Sequence, residues 1–241
     1  MSTFLTRPTF ERLAQIRGQL IGQGFASATA DGPGVAGIFL PWAGRQLAEA
    51  GGLYWIGAAT EGPYGAEGEQ SFEACHERAA VLCDRGPHAH AHTPLWLFLD
   101  GLTRELLGGS YDRTTDRWGW SALLKIGWST GRPEDWPPEL VERQQATCAA
   151  ALREEIAHLR HSLVFVGSLD DFGILGEALG GVPNWHGEQD DATGLWWFRD
   201  EASGNLFVHG CHPSAARRGH FSDAALDRTV MLARNLLPRF V

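Results

Sequence analysis

Short apolar runs that lead into glycine alternate with helical patterns along this chain, and this alternation constrains the fold more than any other feature. The runs lie at Leu53–Ile56, Trp120–Ile126 and Leu163–Val166. Short apolar runs bounded by turn residues are typical of strands that are buried on both faces of a parallel sheet. The segment "GLWWFRDEASGNLFVHG" predicts two further strands, joined by a Ser-Gly-Asn turn.

Helical patterns separate these strands. Residues Thr9–Gly22 have an amphipathic pattern, and Gly24–Gly37 follows as a predicted loop rich in Gly and Ala. Thr93 as N-cap and Pro94 at the first helical position predict a helix in "HTPLWLFLDGLTRELLGG". The segment "PPELVERQQATCAAALREEIAHLRH" predicts a long helix, and Ser222 caps a last helix in "SDAALDRTVMLARNLL".

Strands that alternate with helices indicate an α/β protein. We predict a three-layer α/β/α sandwich with a mainly parallel central sheet, and a single domain over residues 1–241, since no repeat or low-complexity linker divides the chain. Ligands bind beyond the carboxyl ends of the strands in such sheets. The functional loops are therefore expected after Ile56, Ile126, Val166 and Val208.

The charge and cysteine content exclude several classes of protein. A formal net charge of −9 argues against a protein that coats nucleic acid by bulk electrostatics, although it permits a local basic groove. None of the four cysteines forms a C-x-x-C pair, which argues against zinc and iron–sulfur centres. No secretory signal or membrane-spanning run is evident, so we expect a cytoplasmic protein with free thiols and without metal or cofactor.

The first loop with candidate chemistry is "GAATEGPYG", residues Gly57–Gly65. Its glycines and proline predict a tight backbone that a ligand can approach closely. It presents the hydroxyl of Thr60, the carboxylate of Glu61 and the ring of Tyr64. An ordinary turn with a solvated glutamate is the alternative interpretation.

The second loop follows the apolar run "LFVHG" and contains "CHPSAARRGHF". Pro213 restrains His212 to an extended backbone, which would aim its imidazole into the crevice. A fixed imidazole at such a place can stabilise a developing anion. Ser214 adds a hydrogen-bonding group, and Arg217 and Arg218 follow. A histidine that merely bonds a nearby carbonyl remains the alternative.

Together these loops resemble those of the uracil-DNA glycosylase superfamily. In that family the first strand ends in G-Q-D-P-Y-H or G-M-N-P-G-P-F-G, and the last strand ends in H-P-S followed by R-G-x-F. Here "EGPYG" is similar to the first motif, and "HPSAARRGHF" is similar to the second. The family strand that ends T-N-L-V-K corresponds to "SALLK", Ser121–Lys125. The motif style is closest to the single-strand-selective branch.

The resemblance implies a DNA glycosylase that flips a base out of the helix and hydrolyses its N-glycosidic bond. It implies that His212 stabilises the departing base, while Glu61 or Thr60 positions the attacking water. The implied DNA contacts come from Ser214, Arg217 and Arg218. The implied contacts to the base or sugar come from Gly57, Ala58, Ala59, Gly62, Pro63, Tyr64, Phe72 and Ala122, where Phe72 would stack on the base. Phe72 can equally be a core residue of the helix that it begins.

The sequence departs from the family at the positions that select uracil. The family's Asp or Asn in the first loop falls on Thr60, with Glu61 one residue away. The asparagine of T-N-L-V-K is Ala122, and the apolar wedge after H-P-S is replaced by Ala215, Ala216 and Arg217. A base other than uracil is therefore the expected substrate, in single- or double-stranded DNA.

Two other interpretations stay open. One is a catalytically inactive relative that binds a free nucleobase or nucleic acid. The other is a small-molecule hydrolase that uses Ser168 and His212, although Ser168 lacks the G-x-S-x-G elbow. The three histidines of "HAHAH" are predicted to lie in an exposed loop, which is favoured over a metal site.

Overall fold

Parallel strands form the centre of the structure and helices cover both of their faces. The structure, a computed structural model, describes residues 3–29, 32–59, 65, 68–90, 93–168, 173–181, 183–186, 195–210 and 223–237. The strands are β1 Val35–Ile38, β2 Trp42–Ala43, β3 Leu53–Ala59, β4 Trp118–Leu124, β5 Ile126–Trp128, β6 Leu163–Gly167, β7 Trp196–Asp200 and β8 Asn205–Gly210. The helices are α1 Arg7–Gly22, α2 Leu47–Ala50, α3 Phe72–His90, α4 Pro94–Leu107, α5 Tyr111–Thr114, α6 Pro138–His158, α7 Ile174–Ala178 and α8 Asp223–Leu236.

The main sheet has the strand order β2-β4-β3-β6-β8-β7. Its four inner strands, β4, β3, β6 and β8, run parallel, while the edge strands β2 and β7 are antiparallel to their neighbours. A second sheet pairs β1 with β5. The predicted mixed α/β class with a mainly parallel central sheet is therefore confirmed.

Alternation along β3 divides the core into two clusters. Tyr54 and Ile56 belong to a cluster that packs against α1, α6 and α7, which we call the α6 side of the sheet. Leu53 and Trp55 point the other way, into a cluster with α4 and α8 that we call the α4 side. Successive strand residues point to opposite faces, so a strand buried on both faces is apolar at every position.

Helix α4 forms for the reasons that its sequence suggests. Thr93 has an extended backbone as N-cap, and Pro94 begins the helix. Gly108 ends it with φ of 70°, a left-handed conformation that suits glycine. The predicted helix at Thr9–Gly22 is present as α1, and the long helix predicted in "PPELVERQQATCAAALREEIAHLRH" is present as α6.

Three local predictions are wrong. The segment Gly24–Gly37 is not all loop, because β1 begins at Val35. The predicted strand Trp120–Ile126 is two strands that belong to different sheets and meet at Lys125. Helix α3 continues to His90, so the predicted loop around "HAHAH" is helical up to that residue. None of the helices within the described residues is long and apolar enough to cross a bilayer.

Candidate functional site at the carboxyl edge of the sheet

A row of small residues crosses the sheet near the carboxyl ends of its four parallel strands. Gly57 of β3 pairs in register with Ala122 of β4 on one side and with Gly167 of β6 on the other. Gly167 pairs in turn with Gly210 of β8. The four strands therefore carry little side-chain bulk where this row crosses them.

The strand order reverses at β3. The chain passes from β3 to β4 on one side, and later enters β6 on the other side of β3. A crevice forms at such a switch point, because the loops that leave the two adjacent strands diverge to opposite faces. Ala59 ends β3, and Ser168 follows β6. Sequence reasoning had placed functional loops after both of these strands.

Trp55 occupies the α4 side of this row. Its indole stacks on Phe165, with ring centroids 5.3 Å apart and planes inclined by 9°. A Cβ on Gly167 would collide with the six-membered ring of Trp55, and a Cβ on Gly57 would lie 3.4 Å from its Nε1. Trp55 is 1% exposed. Its ring therefore takes the space that a side chain at 167 would need, and glycine is required at Gly167.

The last residue of the first loop, Gly65, is bonded by one side chain from the segment that follows and lies beside a second. Gln70 Nε2 donates to the carbonyls of Gly65 (2.6 Å) and Gly68 (2.7 Å). The backbone N–H of Ile38 in turn donates to Gln70 Oε1 at 3.3 Å. The guanidinium of Arg78 lies against Gly65, where a Cβ would stand 2.6 Å from Arg78 Nε. Gly65 also has φ of 59°, a left-handed conformation that favours glycine.

Arg78 belongs to a cationic cluster at the start of α3. Its Nη1 donates to the Glu69 carbonyl (2.7 Å) and its Nη2 to the Cys75 thiol (2.9 Å). Burial raises the pKa of Cys75, and the guanidiniums of Arg78 and Arg17 oppose that shift. Arg17 is itself 8% exposed and donates from Nε to the Ala36 carbonyl at 2.8 Å. Burial lowers the pKa of Arg17.

The end of β4 is fixed by a buried ion pair. Lys125, the only lysine of the chain, forms an ion pair with Glu155 of α6 at 2.7 Å, and both side chains are fully buried. Lys125 Nζ also donates to the Ala122 carbonyl (2.7 Å) and to Ser121 Oγ (2.6 Å). The Tyr54 hydroxyl donates to the other oxygen of Glu155 at 2.8 Å. These bonds hold Lys125 at the point where the chain leaves β4 for β5 of the second sheet.

The predicted site residues fall into two groups. Of those assigned to base or sugar contacts, Gly57, Ala58 and Ala59 form the end of β3, and Ala122, which is 2% exposed, lies beside Gly57 in β4. The others lie outside the described residues, namely Thr60, Glu61, Gly62, Pro63, Tyr64, His212, Ser214, Arg217 and Arg218. Ser168, the nucleophile of the hydrolase alternative, is described and only 4% exposed.

Phe72 has a packing role. It begins α3, and its ring meets Phe10 edge to face, with centroids 5.4 Å apart. The Arg7 guanidinium lies 5.0 Å from the centre of the same ring. Phe72 also packs against the core cluster of the α6 side. Its ring therefore packs between α1 and α3, which favours the interpretation of Phe72 as a core residue of the helix that it begins.

Sequence reasoning missed Gln70 and Arg78. Their segment, "EQSFEACHER", resembles an ordinary helix start, and Ser71 Oγ accepts a bond from Ala74 N–H at 3.2 Å as such a start predicts. Nothing in local patterning reveals that Gln70 and Arg78 turn back to the preceding loop. The signal that could have found them is Gly65, whose positive φ and missing side chain imply a close neighbour.

Metal-ligating groups and grooves elsewhere in the fold are the remaining candidates for a site. Within the part of the chain that the structure describes, no group of three His, Cys, Asp or Glu side chains could hold a metal ion. An open groove of about 510 Å³ lies along β7, between residues such as His186, Phe198 and Asp200. Asp200 pairs with Asn205, the first residue of β8, so this groove reaches the end of the sheet opposite to Gly210.

No known protein-family model matches the chain, and a search of curated proteins gives no match. The geometry of the carboxyl edge is therefore the basis for assigning a function.

Proposed function

We propose that the protein is a DNA glycosylase of the uracil-DNA glycosylase type, acting on a flipped base other than uracil. The observation that supports this most is the meeting of three distant sequence segments at one edge of the sheet. The first motif follows β3, the second lies at the end of β4, and the third follows β8. Gly57, Ala122 and Gly210 of these three strands lie in one registered row. The parallel order β4-β3-β6-β8 supports a uracil-DNA glycosylase-like fold as part of this proposal.

The spacing of the strand ends suits a nucleobase. Gly57 and Gly210 are separated by one intervening strand, which corresponds to about 10 Å at the usual spacing of paired strands. Glu61 follows Ala59, and His212 follows Gly210, each by two residues. Two residues of extended chain reach about 7 Å, so both side chains are within reach of a ligand between the strand ends.

The proposed chemistry divides between the two loops. His212, held extended by Pro213, donates a hydrogen bond to the departing base as negative charge develops on it. Glu61 positions the attacking water and stabilises the positive charge on the sugar, with Thr60 orienting the same water. Ser214, Arg217 and Arg218 bind the phosphates, which fixes the register of the strand without reading its sequence.

Ala122 argues against uracil as the preferred base. A side chain with paired donor and acceptor groups is needed to read the edge of a base, and alanine offers neither. Loss of such a pair costs about 1–3 kcal/mol of discrimination.

The two alternatives have less support. A relative that binds nucleobases without catalysis uses the same edge of the sheet and is distinguished only by activity. A small-molecule hydrolase needs Ser168 as nucleophile, but this side chain is 4% exposed where a nucleophile must reach its substrate.

The test is a cleavage assay on oligonucleotides that contain uracil, hypoxanthine, xanthine or a mispaired base, each in single- and double-stranded form. Abasic sites are revealed by alkaline cleavage. We expect release of at least one base other than uracil, with slower release of uracil. Fast release of uracil would contradict the role given to Ala122. Absence of abasic sites in every substrate, at enzyme in excess over DNA, would reject the proposal.

A further inference from the structure

We propose that Trp196 is a stacking residue for an unpaired base of single-stranded DNA, beside the candidate site at the carboxyl edge. This inference rests on the proposed function for the identity of the ligand. Trp196 begins β7, the edge strand next to β8, and it belongs to no motif to which chemistry was assigned. The base that it binds is a neighbour of the flipped base on the same DNA strand.

Trp196 differs from the other tryptophans in its exposure. All ten tryptophans of the chain are described, and Trp196, at 42%, is the only exposed one. The other large apolar residues that are exposed in the described part of the chain, Val81, Leu97 and Met231, all lie on helices. An indole is a large, flat apolar surface, so its exposure on a strand leaves that surface available to a ligand.

Two aromatic side chains lie beside Trp196 on the same face of the sheet. Trp196 pairs in register with His209 of β8. Both lie on the α6 side, because alternate strand residues share a face, and Phe198 and Phe207 of the same strands stack there at 4.6 Å. The ring of Trp185 lies 4.8 Å from that of Phe198 and 5.7 Å from that of His209. Trp196, His209 and Trp185 therefore form one aromatic surface.

This aromatic surface is continuous with the candidate site. His209 directly precedes Gly210, the residue by which β8 contributes to the registered row of small residues. Trp196 lies one strand further out in the sheet, at about 5 Å from β8. A DNA strand that is bound at Gly210 is thus within reach of Trp196 through a neighbouring nucleotide.

The chemistry of the surface favours an unpaired base as its ligand. Every base has a π-face that stacks on an aromatic side chain, and one such contact contributes about 5- to 150-fold to affinity. In a duplex the bases are already stacked on one another, so only an unstacked base offers its face to Trp196. The formal net charge of −9 also favours stacking over bulk attraction of phosphates as a source of affinity.

The experiment measures the affinity of the whole protein for a single-stranded oligomer of thymidine, about 16 nucleotides long. Fluorescence anisotropy gives Kd for wild type, Trp196→Ala, Trp196→Phe and the control Leu97→Ala, which changes a residue of α4 that is 59% exposed. We expect Trp196→Ala to raise Kd by about 5- to 150-fold. Trp196→Phe should restore most of the affinity, and Leu97→Ala should bind as wild type. Affinity for the duplex with an adenosine oligomer should change little in every variant.

Two further readouts distinguish stacking from a phosphate contact and from a loss of folding. The slope of log Kd against log salt concentration should be equal in wild type and Trp196→Ala, because no cation is removed. Saturating oligomer should quench part of the tryptophan fluorescence of the wild type. This part should be missing in Trp196→Phe, which still binds the oligomer.

The outcomes separate this inference from the proposed function. No binding of the single strand by the wild type overturns the inference, and so does equal affinity in wild type and Trp196→Ala. An equal loss of affinity for single strand and duplex, or an equal quench in wild type and Trp196→Phe, overturns it as well. Base release by the wild type alongside any of these results leaves the function standing. Binding that depends on Trp196, without release of any base, supports the inference and rejects the function.

Discussion

Two buried cysteines on the α6 side of the sheet lie beside cations, but their ionic surroundings differ. Cys148 lies beside Lys125 and Glu155, which form a fully buried ion pair. Burial raises the pKa of the Cys148 thiol to about 12. Cys75 instead lies beside Arg78 and Arg17, whose positive charges partly oppose the effect of its burial on the pKa of the thiol.

The difference indicates different tasks for the two clusters. The Lys125 cluster joins β4, β3 and α6, and each of its charges is balanced within the core. The Arg78 cluster lies where α3 meets a loop, and Arg78 is only partly buried. We expect the Lys125 cluster to contribute more to the free energy of unfolding than the Arg78 cluster.

The largest expected effect is on the Lys125 cluster. Lys125→Met leaves the Glu155 carboxylate buried without its cation, so the free energy of unfolding should fall by about 3–5 kcal/mol. Urea denaturation measures this change. The control is Arg143→Met, which removes an exposed pair with Glu139 on α6 and should cost less than about 1 kcal/mol. Equal losses in the two variants would show that the buried pair does not stabilise the fold.

A triple variant separates the net value of the pair from the penalty for breaking it. Lys125→Met with Glu155→Met and Tyr54→Phe removes the charges and the hydroxyl that bonds them. This variant should recover much of the stability lost in Lys125→Met alone, because no buried charge remains. A triple variant that is still less stable than Lys125→Met would contradict the cause assigned to the loss.

The second prediction concerns alkaline pH and distinguishes the two thiols. The folded pKa of Cys148 is above its ordinary value of 9.0, so the unfolded chain loses its thiol proton first as pH rises. The contribution of the Cys148 thiol to the free energy of unfolding is complete below about pH 8. It falls by about 1.4 kcal/mol per pH unit between about pH 9 and 12. Unfolding of wild type and Cys148→Ser at pH 8 and pH 10 gives this slope by difference.

Cys75→Ser is the matched comparison. Because the guanidiniums of Arg78 and Arg17 oppose the effect of burial, the slope removed by this substitution should be smaller than the slope removed at Cys148. The reverse order of the two slopes would contradict the difference drawn between the clusters.

The smallest expected effect on stability is that of Arg78→Ala. In this variant the Glu69 carbonyl and the Cys75 thiol each lose a hydrogen bond from Arg78. Each lost bond lowers the free energy of unfolding by about 0.5–1.5 kcal/mol. Since Arg78 is partly exposed, water can replace some of this loss. Urea denaturation should therefore show a loss well below that of Lys125→Met, and a loss as large as that one would make Arg78 a core residue.

The order of helices and strands could be predicted because burial and capping act locally. Strand β3 and helix α4 follow from an apolar run and from Thr93, Pro94 and Gly108. The division at Lys125 could not be predicted, since it depends on Glu155, thirty residues later in the chain. The second sheet was missed for a similar reason, because β1 is defined by its partner β5 and not by its own pattern.

The site shows the same contrast. The strand ends at Gly57 and Gly210 could be predicted to lie at the same edge of the sheet, because parallel strands have their carboxyl ends at one edge. The supports of Gly65 could not, because Gln70 and Arg78 act through backbone atoms that have no sequence signature. The neighbours of Phe72, Phe10 and Arg7, could not be foreseen from the sequence, although a core role was one of the two interpretations of its ring.

The central claim is that the carboxyl edge of this sheet holds a glycosylase site in which His212 stabilises the departing base. The most direct measurement compares single-turnover base release by wild type, His212→Ala and Ser168→Ala on the base that the wild type cleaves best. We predict that His212→Ala lowers the rate by about 100-fold or more, because a fixed donor acts where charge develops. Ser168→Ala should retain the wild-type rate. Full activity in His212→Ala, with loss of activity in Ser168→Ala, would contradict the account and support the hydrolase alternative.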